Sequence, residues 1–249
     1  MATFVLVPGF WLGGWAWEDV TATLREHEHV VYPVTLTGLG ERRHLGSAEV
    51  NLDTHIQDVG NLIYYEKLQN VILVGHSYAG IVITGVADRA PERFAKLIYT
   101  DTAPLPDGMS NADFYPPDLR KRYEQRVAGH EGWKLPFPPW EELDQIGSSR
   151  DLDEAMREKI RERATDMPFG AARQRVRLKN PERAKIPKTC ICCTFTSKQA
   201  HQLIEAGNPV FRELAGPEWT FIDLPTGHFP MFSKTKELTD IFLQEAESM

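Results

Sequence analysis

Six short runs of apolar, largely β-branched character punctuate the chain: Thr3–Val7, His29–Val34, Val71–Val74, Ala95–Thr100, Lys188–Phe195 and Thr220–Leu224. The run Val71–Val74, apolar throughout rather than alternating, predicts a buried strand of a parallel sheet, and the other runs read as further strands. The segments between them carry apolar residues about three and four positions apart, the spacing of a helix packed on a sheet. They are Trp17–Glu26, a segment from Leu52 through Ile63, Ile81–Ala87, Ser197–Leu214 and Ser233–Glu247. Thr35–Val50 is polar and reads as a loop.

The alternation of strand and helix stops near residue 106 and resumes at 188. Residues 106–186 are rich in proline and aromatics at first and in charge later, with no β-rich run. The prediction is a single α/β domain over 1–249. It has a mostly parallel six-stranded sheet, helices on both faces and a mainly helical cap insertion at about 106–186. The arginines between Arg161 and Arg177 are expected to face solvent.

Composition narrows the function classes. The formal net charge of −7 argues against a nucleic-acid partner, which favours a basic face. No stretch approaches the roughly 20 apolar residues of a membrane span. The apolar run near the amino end is too short for a secretory signal and has no basic residues before it, so the expectation is a cytoplasmic protein. Cys190, Cys192 and Cys193 sit together in one predicted strand. They read as buried, reduced thiols, neither a disulfide framework nor a zinc site. No metal or cofactor is expected.

In sheets of this kind chemistry gathers at the carboxyl ends of the strands. Pro8-Gly9, Ser77, Asp101 and His228 all follow predicted strands. Ser77 lies in Gly75-His76-Ser77-Tyr78-Ala79-Gly80, between a strand and a helix. A Gly-x-Ser-x-Gly there forms a nucleophile elbow, in which a strained turn lifts the hydroxyl out of the sheet. The plainer reading is a glycine-rich turn whose serine caps the helix. A serine hydroxyl needs a base, usually histidine. His228, in a loop after the last strand and behind a Gly227 expected to be flexible, is the candidate. His27, His29, His44, His55, His130 and His201 have no comparable placement, and His76 is expected to pack or bond beneath the turn. An oxyanion hole needs preorganised donors. The backbone N–H groups of Phe10 and Tyr78 are the candidates, with Gly9 permitting close approach.

Aromatic residues cluster near these motifs. Trp11, Phe114, Trp133, Phe137 and Trp140 are expected to line an apolar substrate pocket, whereas Trp15 and Trp17 read as core.

Phe4–Trp17 (FVLVPGFWLGGWAW), GHSYAG and LPTGHFPMFSKTKEL together resemble the α/β-hydrolase superfamily over nearly the whole chain. Within it they resemble a compact esterase branch that includes plant methyl-ester hydrolases and hydroxynitrile lyases. The resemblance implies a serine nucleophile, a histidine base and a carboxylate. Four departures bear on this. Pro8-Gly9 stands where His-Gly is usual, which leaves the backbone donor in place. Phe229 and Gly9 stand where the lyases carry lysine and threonine, which counts against cyanohydrin cleavage. Ala16 stands where relatives often have cysteine. Cys193-Thr194-Phe195-Thr196-Ser197-Lys198 lacks the aspartate of the branch.

The acid can come from another strand end. Asp101 is predicted to bond His228. The competing readings are that Asp101 caps its own turn, that Glu205 serves, or that Ser77 and His228 act as a dyad.

The functional expectation is a serine hydrolase forming an acyl-enzyme on Ser77 and cleaving a small hydrophobic or aromatic ester, a methyl ester or a carbamate. The alternatives are a non-catalytic small-molecule-binding homologue and a cofactor-free lyase. The expected partner is the small-molecule ester, with no nucleic acid and no membrane; a homodimer is compatible with the sequence.

Overall fold

The computed structural model describes residues 1–248. In chain order the elements are β1 (Thr3–Val7), α1 (Glu18–Glu26), β2 (Val30–Pro33), α2 (Leu52–Tyr65), β3 (Val71–His76), α3 (Ala79–Arg89) and β4 (Phe94–Thr100). Then come α4 (Asn111–Phe114), α5 (Pro117–Ala128), β5 (Lys134–Leu135), α6 (Trp140–Gln145), α7 (Glu154–Arg163), β6 (Met167–Pro168) and α8 (Gly170–Arg173). The chain closes with β7 (Lys188–Cys192), α9 (Ser197–Glu205), β8 (Trp219–Asp223), α10 (Pro230–Ser233) and α11 (Thr235–Glu247).

Six strands form one sheet in the order β2-β1-β3-β4-β7-β8, and every neighbouring pair is parallel. The continuous apolar runs are explained by what each strand face meets. Val5, Val7, Val71 and Leu73 point into a core shared with Ile56, Val59, Val82 and Val86 of α2 and α3. Phe4, Leu6, Ile72, Val74, Ile98 and Ile191 point the other way, into a core shared with Val20, Leu24, Leu238 and Phe242 of α1 and α11. Successive side chains of a strand face opposite ways, so the central strands β1 and β3 are apolar at nearly every position.

The strand order reverses direction beside β1, because β2 lies on one side of it and β3 on the other. The crevice beyond the carboxyl ends at such a point is where ligands bind in open α/β sheets. Pro8–Phe10 follow β1 and Ser77 follows β3, so both stand at this crevice.

Several boundaries differ from expectation. The insertion between β4 and β7 is mainly helical, but β5 and β6 pair as a two-residue antiparallel ribbon, Leu135 opposite Met167. Strand β7 ends at Cys192 rather than Phe195, because the N–H groups of Cys193 and Thr194 turn to the Asp101 carboxylate. The helix expected over 197–214 stops at Glu205. Gly207 takes a left-handed φ of 70° ahead of Asn208-Pro209, and a 3-10 turn follows at Phe211–Leu214. The loop over 35–50 contains a 3-10 turn at Gly40–Leu45. The last helix, α11, begins at Thr235 rather than Ser233 and is preceded by the additional short helix α10. Cys190, Cys192 and Cys193 are free and buried.

Candidate active site

The turn between β3 and α3 holds Ser77 at φ 54°, a left-handed conformation costly for a residue with a side chain. Two glycines make it possible. A Cβ on Gly75 would stand 2.8 Å from the Ala79 carbonyl oxygen, and one on Gly80 would stand 2.6 Å from Thr102 Oγ1. Below the turn, the Tyr78 hydroxyl donates to His55 Nδ1 (2.9 Å), and His55 Nε2–H donates to the Thr37 carbonyl (2.9 Å).

At the carboxyl ends of the strands three side chains meet. His228 Nδ1–H donates to Asp101 Oδ2 at 2.5 Å, and Ser77 Oγ–H donates to His228 Nε2 at 2.7 Å. A carboxylate can only accept, so the proton belongs on Nδ1, and a neutral ring then leaves Nε2 free to accept. The Asp101 side chain is 1% exposed and that of His228 26% exposed. The acid is thus sealed while the imidazole reaches the crevice.

Asp101 follows β4 directly, at φ 48°. Its Oδ1 accepts from the Cys193 N–H (3.1 Å), the Thr194 N–H (2.8 Å) and the Thr194 hydroxyl (3.0 Å). Burial opposes its ionisation, but the bond and charge of His228, together with the Thr194 N–H and hydroxyl, outweigh it and hold the carboxyl below the usual carboxylate range. Its partners are therefore His228 and the exit of β7, not its own turn. Glu205 is exposed at the end of α9, with His228 Nδ1 already bonded to Asp101.

The loop that carries His228 is fixed from three sides. The His228 N–H donates to the Ser148 carbonyl at 2.7 Å. Arg150 donates to the Thr226 carbonyl at 2.5 Å. His76 Nε2–H donates to the His228 carbonyl at 2.5 Å. Gly227, expected to supply flexibility, serves close packing instead: a Cβ there would stand 2.4 Å from the Arg150 carbonyl oxygen and 2.6 Å from that of Ser148. Ser148, Arg150 and Thr194 carry no sequence signal that marks them as supports of the site. Each meets its partner only where the folded chain brings distant segments together: Ser148 through its carbonyl, Arg150 through its guanidinium, and Thr194 through its N–H and hydroxyl.

The oxyanion loop lies against the serine. A Cβ on Gly9 would be 2.8 Å from Ser77 Cβ, and the Phe10 and Tyr78 rings are 4.7 Å apart. The backbone N–H groups of Phe10 and Tyr78 have no protein acceptor among the described residues. Of the expected pocket residues, Trp11, Phe137 and Trp140 form a continuous aromatic wall, with centroids 5.4 Å apart for the first pair and 5.2 Å for the second. Trp133 lies apart, over Gly46 and under Lys134. Phe114 is 50% exposed, because the single turn of α4 buries Ala112 instead; neither joins the wall. A cavity of about 200 Å³ lined by Thr84, Tyr99, Lys188 and Trp219 lies beside α3, and Ser77, Asp101 and His228 are not among its lining residues.

His55 and His76 are fully buried. Burial pushes their pKa values down to about 4 and about 3, His228 adding to the shift of His76. Both stay neutral in the folded state at pH values where an unfolded chain protonates them, near 6.5. The unfolded state then binds more protons, so stability is complete above about pH 6.5 and falls as pH falls toward 4 and 3. Carried through both folded-state values, the loss is about 3 kcal/mol for His55 and about 5 kcal/mol for His76. Thermal melts from about pH 7.5 to 4.5 should therefore show a steadily falling Tm. A flat Tm across that range would contradict the buried neutral assignment.

A serine on a strand–turn–helix elbow, at the switch point of a parallel sheet and in line with histidine and aspartate, is the architecture of an α/β hydrolase. A family model described as the alpha/beta hydrolase family matches residues 4–241, and the chain belongs to that family. Over 101 residues it is 54% identical to a carbendazim hydrolyzing esterase of Nocardioides sp. (strain SG-4G), a match covering 41% of this chain and 42% of that protein. Over 117 residues it is 32% identical to putative methylesterase 13, chloroplastic, of Arabidopsis thaliana, covering 45% of this chain and 26% of that one. The matches thus span less than half of each of these relatives. Among solved structures, an extracellular α/β-hydrolase from a Paenibacillus species superposes with a TM-score of 0.79 at 23% identity, over 98% of both chains. A pyrethroid hydrolase from Sphingobium faniae JZ-2 superposes with a TM-score of 0.75 at 19% identity, over 99% of this chain and 97% of that one. At these identities the structural likeness is one of fold.

Proposed function

We propose that this protein is a serine carboxylic-ester hydrolase with Ser77, His228 and Asp101 as its triad, acting on small hydrophobic or aromatic esters, methyl esters and carbamates among them. The observation that carries the reading is the unbroken line from Asp101 Oδ2 to His228 Nδ1 (2.5 Å) and from His228 Nε2 to Ser77 Oγ (2.7 Å). It runs beside two backbone N–H groups without a protein acceptor among the described residues. The ester-hydrolase names of the relatives support it.

In the first half-reaction Ser77 Oγ bonds to the ester carbonyl carbon and its proton passes to His228 Nε2. The carbonyl π pair moves onto oxygen, where the N–H groups of Phe10 and Tyr78 receive it. The buried Asp101 carboxylate stabilises the imidazolium. The intermediate collapses, the C–O bond to the alcohol breaks, and His228 returns the proton to the leaving oxygen. Water then repeats the sequence on the acyl-enzyme and frees the acid. The wall of Trp11, Phe137 and Trp140 offers an apolar surface for the substrate. Phe229, 2% exposed, offers no ammonium of the kind that cyanohydrin cleavage uses in the resembling lyases.

Purified protein given an aryl methyl ester, an aryl carbamate and mandelonitrile should release alcohol from at least one of the first two and no cyanide from the third. Cyanide release without ester turnover would replace the reading with a lyase. No turnover of any of the three, with the ester or the carbamate still bound, would replace it with a binding protein.

A further inference from the structure

The residue after the expected oxyanion donor is held in an unusual way. Trp11 has φ 65°, a backbone conformation that bulky side chains rarely adopt. Such strain persists only where surroundings over-determine it. Here the cap insertion does so. The Trp11 indole N–H donates to the Leu135 carbonyl at 2.9 Å, across 124 positions of chain. The Trp11 carbonyl accepts from the Thr165 N–H at 3.0 Å. Both partners belong to the β5–β6 ribbon or its approach, since Leu135 pairs with Met167. Leu135 and Met167 are fully buried and Trp11 is 7% exposed. On the other side of Phe10, Gly9 is wedged against Ser77. The Phe10 N–H therefore lies in a short span fixed at both ends, by the nucleophile turn and by the cap.

We propose that Trp11 is a positioning residue: through it, the two-residue ribbon of the cap insertion sets the Phe10 N–H toward the developing oxyanion, so that the seating of the cap and the competence of the oxyanion hole are one property. This rests on the serine-hydrolase reading above. It accounts for three features that reading leaves unexplained: the left-handed tryptophan, its buried bond to a distant carbonyl, and an antiparallel ribbon too short to be stable alone.

The test uses Trp11→Phe and Trp11→Gly in the full chain, with an aryl trifluoromethyl ketone as probe. Ser77 Oγ adds to the ketone carbonyl, its proton passes to His228, and the resulting hemiketal oxyanion needs the same two N–H donors as the reaction. Trp11→Phe keeps an aromatic ring in the wall and loses the indole N–H together with part of the indole ring system. It should lower kcat roughly tenfold or more with KM little changed, and weaken the ketone by the same factor as kcat/KM. Trp11→Gly suits the left-handed backbone but makes neither the indole bond nor the ring contacts, so it should lose more than Trp11→Phe. A merely structural tryptophan would lower Tm and leave kcat and ketone affinity unmoved; a mere substrate wall would raise KM alone. Either result, or wild-type kcat in Trp11→Gly, overturns the proposal. The underlying reading is checked separately on the unsubstituted protein: absence of Ser77-dependent turnover and of a hemiketal fluorine signal would remove both. Normal values there with unaffected variants would remove only the role of Trp11.

Discussion

Replacing Ser77 with alanine should reduce ester turnover by about a millionfold, to little more than what binding and the donor groups alone supply. Neither His228 nor Asp101 can take over. The imidazole would still be held at Asp101 but would have no hydroxyl to deprotonate, and water positioned by the same ring would meet a carbonyl that cannot form the acyl-enzyme. The variant should fold and bind substrate as before, because Ser77 Oγ has His228 as its side-chain partner and the strained turn is set by Gly75, Gly80 and the Ser77 N–H bond to the Thr100 carbonyl. Loss of kcat with KM and Tm near their original values is the expected pattern. Turnover within a few fold of the unsubstituted protein would end the acyl-enzyme account.

The second large effect is expected at Asp101. In Asp101→Asn the group facing His228 Nδ1 either becomes an N–H donor or remains an oxygen without charge. In the first case Nδ1 must accept, the ring proton moves to Nε2, and the base meets Ser77 with a proton already in place. In the second the imidazolium that forms in the transition state loses its counter-charge inside a site where the acid is 1% exposed. Either way kcat should fall by about ten-thousandfold. The three donors at Oδ1 favour the first orientation, in which Thr194 and Cys193 still donate to the remaining oxygen, so the exit of β7 should keep its shape and Tm should change far less than kcat. A near-unchanged rate would instead support a Ser–His dyad and leave Asp101 as a structural acceptor for β7.

What could be read from the sequence follows from the physics of each feature. The sheet was legible because strands buried on both faces cannot hide their composition; Val71–Val74 and Leu97–Tyr99 are apolar where a half-exposed strand would alternate. Ser77 and His228 were legible because strand, glycine turn and helix occur in an order that puts a side chain at the carboxyl edge. The partner of His228 was harder to read. The branch aspartate is missing after Cys193-Thr194, and nothing in the sequence says that Thr194 would instead donate to Asp101, two strand ends meeting across the sheet. That same bond cut β7 short of its expected end. Gly227 was read as flexible because a glycine required by a neighbouring carbonyl looks, in sequence, like one required for motion. Trp11 was grouped with the pocket aromatics; its left-handed backbone and its bond to Leu135 depend on a ribbon of two residues, too short to leave a pattern.

The most direct test of the central claim, that Ser77 is activated by His228 beside two backbone donors, is intact-mass analysis after exposure to an aryl fluorophosphonate. Ser77 Oγ should displace fluoride at phosphorus, with His228 taking the proton, and the phosphoryl oxygen should rest where the Phe10 and Tyr78 N–H groups can reach it. The account predicts one phosphonyl group per chain, located on Ser77 by peptide mapping, absent in Ser77→Ala and formed far more slowly in His228→Ala. A chain that remains unlabelled, or that is labelled equally well without His228, would contradict it.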